Sequence, residues 1–150
     1  MNALALTVLI FVSIDCPVSN RYAPEIKRIY DDFAPSGVRF RLVYPNPLDS
    51  DEAIRRHVRE YGYPPIGEGD RDHTLAKKAG ATITPEAAVF DRRGRLVYLG
   101  RIDDRFVELG RERPASTKND LRNVLTALVA GKAVIPSRTQ AVGCFIADMK

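Results

Sequence analysis

Apolar and polar positions change rhythm several times along this chain, and each rhythm predicts an element. Ala3 to Ile14 is almost wholly apolar, and Thr7, Val8, Ile10, Phe11, Val12 and Ile14 are β-branched or aromatic. Such a run predicts a strand covered on both faces. At about a dozen residues it falls short of the roughly twenty that a bilayer span needs. No Lys or Arg precedes it and no small-residue cleavage site follows, so it lacks the marks of a signal peptide. From Cys16 the period becomes three and four: Val18, Tyr22, Ile26, Ile29 and Phe33 fall on one helical stripe. Pro17 suits the first helical position, where its missing N–H costs nothing, and Pro24 predicts a kink within the same helix.

Gly37 breaks that helix, and Val38 to Tyr44 predicts a second strand, closed by Pro45-Asn46-Pro47. Asp49 with Glu52 three residues on predicts a capping pair for a helix carrying Ile54, Val58 and Tyr61. The Gly- and Pro-rich stretch from Gly62 to Asp72 predicts loop. A short helix through Leu75 and Ala79 stops at Gly80, and Ala87–Asp91 with Arg95–Gly100 predicts a β-hairpin around Arg92-Arg93-Gly94. A charged connection, Arg101 to Pro114, leads to a helix from Thr117 to Ala130 with Leu121, Val124, Leu125 and Leu128 on one side. The order βαβα(α)ββα combines parallel crossovers with a late antiparallel hairpin. The expected fold is α/β, a mixed central sheet with helices on both faces. Residues 1–131 form the domain, and the irregular tail 132–150, carrying Cys144, belongs to it.

Composition narrows the classes. There are 150 residues, 45% of them hydrophobic, enough for one domain with a real core and too apolar for a disordered chain. The net charge of +4 is spread with Arg and Lys alternating with Asp and Glu, so no basic face for nucleic acid is indicated. Nor is a membrane indicated. Two cysteines are too few for a disulfide scaffold or a zinc framework.

One of those cysteines sits where chemistry is favoured. Cys16 follows the first strand and opens a helix, whose unpaired first-turn amides favour thiolate over thiol. The neighbouring Asp15 pushes the other way. An apolar interior around residue 16 would contradict an activated thiol.

Cys16-Pro17-Val18-Ser19 followed by Ala23-Pro24 resembles the thioredoxin superfamily. Gly80-Ala81-Thr82-Ile83-Thr84-Pro85-Glu86-Ala87-Ala88-Val89-Phe90, then Gly94, resembles that family's second signature, a cis-proline that starts a strand facing the active cysteine. More narrowly, Asp15-Cys16-Pro17-Val18-Ser19-Asn20-Arg21-Tyr22, Gly100-Arg101-Ile102-Asp103-Asp104 and Gly143-Cys144 are similar to the bacterial redoxin, or peroxiredoxin-like (AhpC/TSA-type), branch, often exported and sometimes joined to cytochrome c modules. The resemblance implies a thioredoxin fold and a thiol–disulfide oxidoreductase with Cys16 as nucleophile, needing no cofactor. Its partners would be protein or small-molecule thiols and disulfides. It also implies an extracytoplasmic, periplasmic-type compartment, although this chain carries no signal peptide and the cytoplasm stays open. Thr84 and Pro85, with Pro17 at the start of the active helix, are assigned to substrate binding and positioning; the alternative for Pro85 is a trans proline that only begins a strand.

Ser19 departs from the family's dithiol motif. The expectation is that Ser19 hydrogen-bonds the Cys16 sulfur while Cys144, in a tail free to reach back, resolves the mixed disulfide. Cys144 is otherwise a permanent structural partner of Cys16 or an unpaired bystander. A peroxidase is the second reading: Ser13 stands where peroxiredoxins have a Thr, but Leu9 occupies their Pro position, and Arg101 or Arg21 would have to supply the guanidinium. A third is a Sco-like copper carrier using Cys16, Cys144 and His57 or His73. Against it, His57 lies in a charged run expected to be a solvated helix face, and His73 is expected to cap a helix; the metal assignment is none. Arg101, Asp103 and Asp104 are expected to form a surface ion cluster, and Tyr22 and Tyr30 to pack along the first helix.

Overall fold

In the computed structural model, which describes residues 5–134 and 136–147, the first apolar run becomes β1 (Thr7–Phe11). Ala3, where that strand is predicted to begin, and the last three tail residues lie outside the described residues. β1 runs parallel to β2 (Arg39–Tyr44), with Thr7 opposite Arg39 and Phe11 opposite Val43. On its other side it is antiparallel to β5 (Glu86–Phe90), with Thr7 opposite Phe90 and Phe11 opposite Glu86. Val8 and Ile10 join a buried cluster with residues of the helices on one face; Leu9 and Phe11 join Ala76, Ala79 and Leu99 on the other. A strand covered on both faces has no use for polar alternation, hence the unbroken apolar run.

β5 turns back into β6 (Leu96–Gly100), completing the predicted hairpin. The sheet also gains a strand where loop alone is predicted: β3 (Gly67–Gly69) pairs in parallel with β2, giving the order β3-β2-β1-β5-β6. Its signal is missing because two of its three residues are glycines, and at Gly67 a side chain is crowded out. A Cβ on Gly67 would meet Val58 Cγ2 at 2.8 Å and Tyr44 Cε1 at 3.2 Å.

The helices correct the expectation in four places. The single kinked helix is two, α1 (Pro17–Arg21) and α2 (Ala23–Phe33), with Tyr22 between them. Pro24 therefore sits in the first turn of α2, where a missing N–H is tolerated, and not in a helix interior. α3 (Asp51–Tyr61) is capped by Ser50, whose Oγ accepts from the Ala53 N–H at 3.1 Å, rather than by an Asp49–Glu52 pair. The last helix, α5 (Asp120–Val129), begins three residues later than predicted. The amides of Thr117 and Lys118 are held by the Asp104 carboxylate, at 2.7 and 2.8 Å, outside the helical ladder. Between α3 and the hairpin, α4 (Thr74–Ala79) starts at His73, which holds the cap position with φ 61° but makes no side-chain cap. Asp70 does that work, accepting from the Leu75 and Ala76 amides at 3.0 and 2.9 Å.

The tail is no loose extension. Thr139 N donates to Leu99 O and Leu99 N to Ser137 O, seating this part of the tail along β6. Further on, β9 (Cys144–Phe145) pairs antiparallel with β4 (Ile83–Thr84), the two residues just before Pro85. The charged connection after β6 likewise folds, into a small hairpin of β7 (Phe106–Glu108) and β8 (Arg111–Glu112).

Candidate active site

Cys16 is the N-cap of α1, and its sulfur is bonded to that of Cys144, the two Cα atoms 6.1 Å apart. The bystander reading of Cys144 is thereby overturned. The Thr84–Pro85 peptide is cis, and the Thr84 carbonyl oxygen lies 3.5 Å from Cys16 Sγ. Residues 16, 84, 85 and 144, 128 positions apart at the extremes, thus meet at one point. Cys16 itself is only 2% exposed and sits within the larger core cluster, whereas Cys144 is half-buried. That apolar setting is the one expected to contradict an activated thiol; in the disulfide the Cys16 sulfur carries no titratable proton and faces Cys144.

Ser19 is fully buried, and its Oγ accepts from the Ser13 N–H at 3.1 Å. That amide, not the expected sulfur, is its hydrogen-bond partner, because the loop between β1 and α1 leaves an amide otherwise without an acceptor. Pro17, exposed, occupies the first helical position as expected. A second set of contacts fixes the same loop. Asn20 Nδ2 donates to Ile14 O at 2.9 Å, and Asn20 Oδ1 accepts from His57 Nε2 at 2.8 Å. His57 Nδ1 then accepts from the Tyr44 hydroxyl at 2.8 Å. The amide oxygen of Asn20 requires the proton on Nε2, which fixes the tautomer. Burial pushes the His57 pKa down and that of Tyr44 up, so the relay is neutral.

His57 is 2% exposed, which overturns its expected place on a solvated face. The sequence did hold the signal: residue 57 stands three after Ile54 and four before Tyr61, on the apolar stripe, despite Arg55, Arg56 and Arg59 around it. His73 is buried too, its Nε2 bonded to Pro45 O at 2.9 Å. Among the described residues no group of three His, Cys, Asp or Glu stands placed to hold a metal. Of the arginines a peroxidase would need, Arg101 is held by Asp120 at 2.6 Å and Arg21 by Glu112 at 2.8 Å, and Leu9 is a buried strand residue.

On the far side of Pro85, the expected surface ion cluster is largely interior. Asp103 and Asp104 are both buried. Asp103 Oδ1 accepts from the Tyr22 hydroxyl at 2.5 Å and from the Arg105 amide at 2.9 Å. Burial raises the Asp103 pKa and, with the Asp103 contact, that of Tyr22. Tyr22, Pro85, Ile102, Asp103, Phe106 and Val142 line a small cavity beside the cis peptide. Glu86 Oε1 accepts from the Thr82 and Ile83 amides at 3.0 and 3.2 Å, tying β4 to β5 across the proline. Nothing in the local sequence marks Glu86 or Asp103 as interior, since a carboxylate's burial depends on partners far along the chain.

No protein-family model and no curated protein matches the chain. It is similar to an uncharacterized conserved protein from Geobacillus kaustophilus, a crystal structure 32% identical with a TM-score of 0.81, over 95% of this chain and 76% of that one. A hypothetical protein from Sinorhizobium meliloti 1021 is 28% identical, with a TM-score of 0.80 over 96% and 80%. A secreted Mycobacterium tuberculosis disulfide oxidoreductase homologous to E. coli DsbE shares the fold, with a TM-score of 0.56 at 18% identity over 85% and 81%. The chain belongs to the family of the Geobacillus protein, and its fold is thioredoxin-like. Within this thioredoxin-like domain the disulfide joins the first helix to the tail instead of closing a turn of that helix, since Ser19 stands at the second cysteine position. Among the described residues no helix is long and apolar enough to cross a membrane.

Proposed function

We propose that this domain is a thiol–disulfide oxidoreductase of the redoxin type, with Cys16 as nucleophile and Cys144 as resolving cysteine. The observation that carries the reading is the Cys16–Cys144 disulfide lying against the carbonyl of the cis Thr84–Pro85 peptide. In the reduced protein the Cys16 thiolate attacks one sulfur of a substrate disulfide, forming a mixed disulfide and releasing one substrate thiolate. Cys144 thiolate then attacks the Cys16 sulfur and expels the second substrate thiolate, so two electrons pass to the substrate and the protein is left oxidised. The reverse sequence oxidises a dithiol. First-turn amides of α1 favour the thiolate, and Thr84 with Pro85 positions the partner backbone.

Ser19 and Asn20 are positioning residues that hold the 13–15 loop from which Cys16 projects. No cofactor enters the chemistry, and the partners are thiols and disulfides of proteins or small molecules. The secreted Mycobacterium protein of the same fold supports an extracytoplasmic setting. The experiment is single-turnover exchange with a small aromatic disulfide. Cys16→Ser is expected to lose at least about a thousandfold in rate. Cys144→Ser is expected to keep the first step and to stall as a mixed disulfide seen by mass. A Cys16→Ser protein that still exchanges at the wild-type rate would refute the assignment.

A further inference from the structure

The segment that covers the site carries information about what else fits there. β4 is two residues long, and β9, its partner, is laid on as an added antiparallel strand: Thr84 stands opposite Cys144 and Ile83 opposite Phe145. The ladder continues through the Ile146 N–H, which donates to Thr82 O at 2.9 Å. An extended peptide recognised by strand addition would use the same backbone groups. The cysteine in this strand stands opposite the residue before the cis-proline and is covalently joined to Cys16, the arrangement a captured partner would have.

Each neighbouring position then has a defined environment. A Cβ on Gly143 would lie 2.0 Å from Thr84 O and 2.8 Å from Thr84 C, backbone atoms that cannot yield. The residue before the cysteine must therefore be glycine. Val142 lines the small cavity together with Tyr22, Pro85 and Phe106. Ile146 is 7% exposed and packs into the smaller core cluster, while Phe145, between them, is 84% exposed. While this strand is seated, Cys16 is closed to any other partner.

We propose that residues 141–146 are a tethered stand-in for substrate, so that the groove along Thr82–Pro85 takes an extended polypeptide reading aliphatic-glycine-cysteine-any-aliphatic once reduction lets the tail leave. This rests on the redox reading above and adds the substrate class to it. The chemical step is attack of the Cys16 thiolate on the partner's cysteine sulfur within a mixed disulfide: the Cys16–partner bond forms, the old S–S bond breaks, and its other sulfur departs as thiolate.

The test uses the full-length Cys144→Ser protein, reduced, and the hexapeptide Ala-Val-Gly-Cys-Phe-Ile carrying thionitrobenzoate on its cysteine, whose release is followed by absorbance. The matched peptide with alanine in place of glycine and a glutathione–thionitrobenzoate disulfide are run beside it. The glycine peptide is expected to react at least about tenfold faster than the alanine peptide, a difference of about 1.4 kcal/mol. Adding Gly143→Ala to the protein is expected to unseat the tail and to speed the glycine peptide several-fold. The peptide comparison stands even if that second variant folds poorly. Equal rates for the two peptides, with glutathione–thionitrobenzoate reacting, would overturn the stand-in and leave the redox reading. No reaction with any of the three would overturn both.

Discussion

Residues 83–90 cross from one antiparallel ladder to another at the cis-proline, and the two ladders are built differently. After Pro85, β5 pairs with β1 at five positions, and every β5 residue is buried. Before Pro85, β4 pairs with β9 at two positions, held by one disulfide, one glycine-to-backbone approach and the anchorage of Ile146. The first ladder is fixed by packing that nothing else in solution can replace. The second is short, and its one covalent tie is a disulfide that a reductant can open. In the proposed thiol exchange, the rigid ladder would hold the proline in position while the other exchanged its strand.

Breaking the rigid ladder should cost most. Ile10→Ala, opposite Ala87 in the β1–β5 register, is expected to lose about 2–5 kcal/mol of stability by denaturant titration. A loss below about 1 kcal/mol would mean that the ladder is not the packed element described. Gly143→Ala attacks the replaceable ladder: global stability should fall less than in Ile10→Ala, while the disulfide becomes about tenfold easier to reduce in a thiol titration. An unchanged titration would contradict the close backbone approach.

The relay beneath the site gives a pH signature. The His57 pKa is pushed below its usual 6.5 by burial, so the unfolded chain takes up a proton first as pH drops. Its contribution to stability is complete above about 6.5 and is lost as pH falls from there through the folded-state value, at no more than about 1.4 kcal/mol per unit. His57→Gln is expected to flatten that slope, and an identical slope in the variant would remove His57 as its source. The smallest effect should come at the exposed position of β9: Phe145→Ser is expected to change peptide exchange less than about twofold, because a side chain in solvent adds little to a strand's docking.

Much of the scaffold was legible in the sequence because its signals are local. The apolar run of β1, the hairpin around Gly94 and the stripe of α5 each follow from spacing within one element. The Cys16–Thr84–Pro85 meeting was legible only through two separated motifs that occur together, and the cis peptide came with that resemblance. Contacts made across the chain were not legible. β3 is a strand of two glycines and one glutamate, recognisable only by what it packs on. Asp103 and Asp104 look like surface charge until their partners Tyr22, Thr117 and Lys118 are in view. Ser19 was expected at the sulfur, yet the unpaired amide of Ser13 is its partner. The tail showed no period, and its order comes from pairing with β4 and β6.

The equilibrium of the Cys16–Cys144 bond with a glutathione buffer, read by alkylation and intact mass, tests most directly whether that bond is a working part. A working disulfide is expected to have a midpoint between about −270 and −120 mV, the span of thioredoxin-fold catalysts. A midpoint below about −300 mV, where structural disulfides lie, would contradict the account and leave the bond as a clamp on the tail.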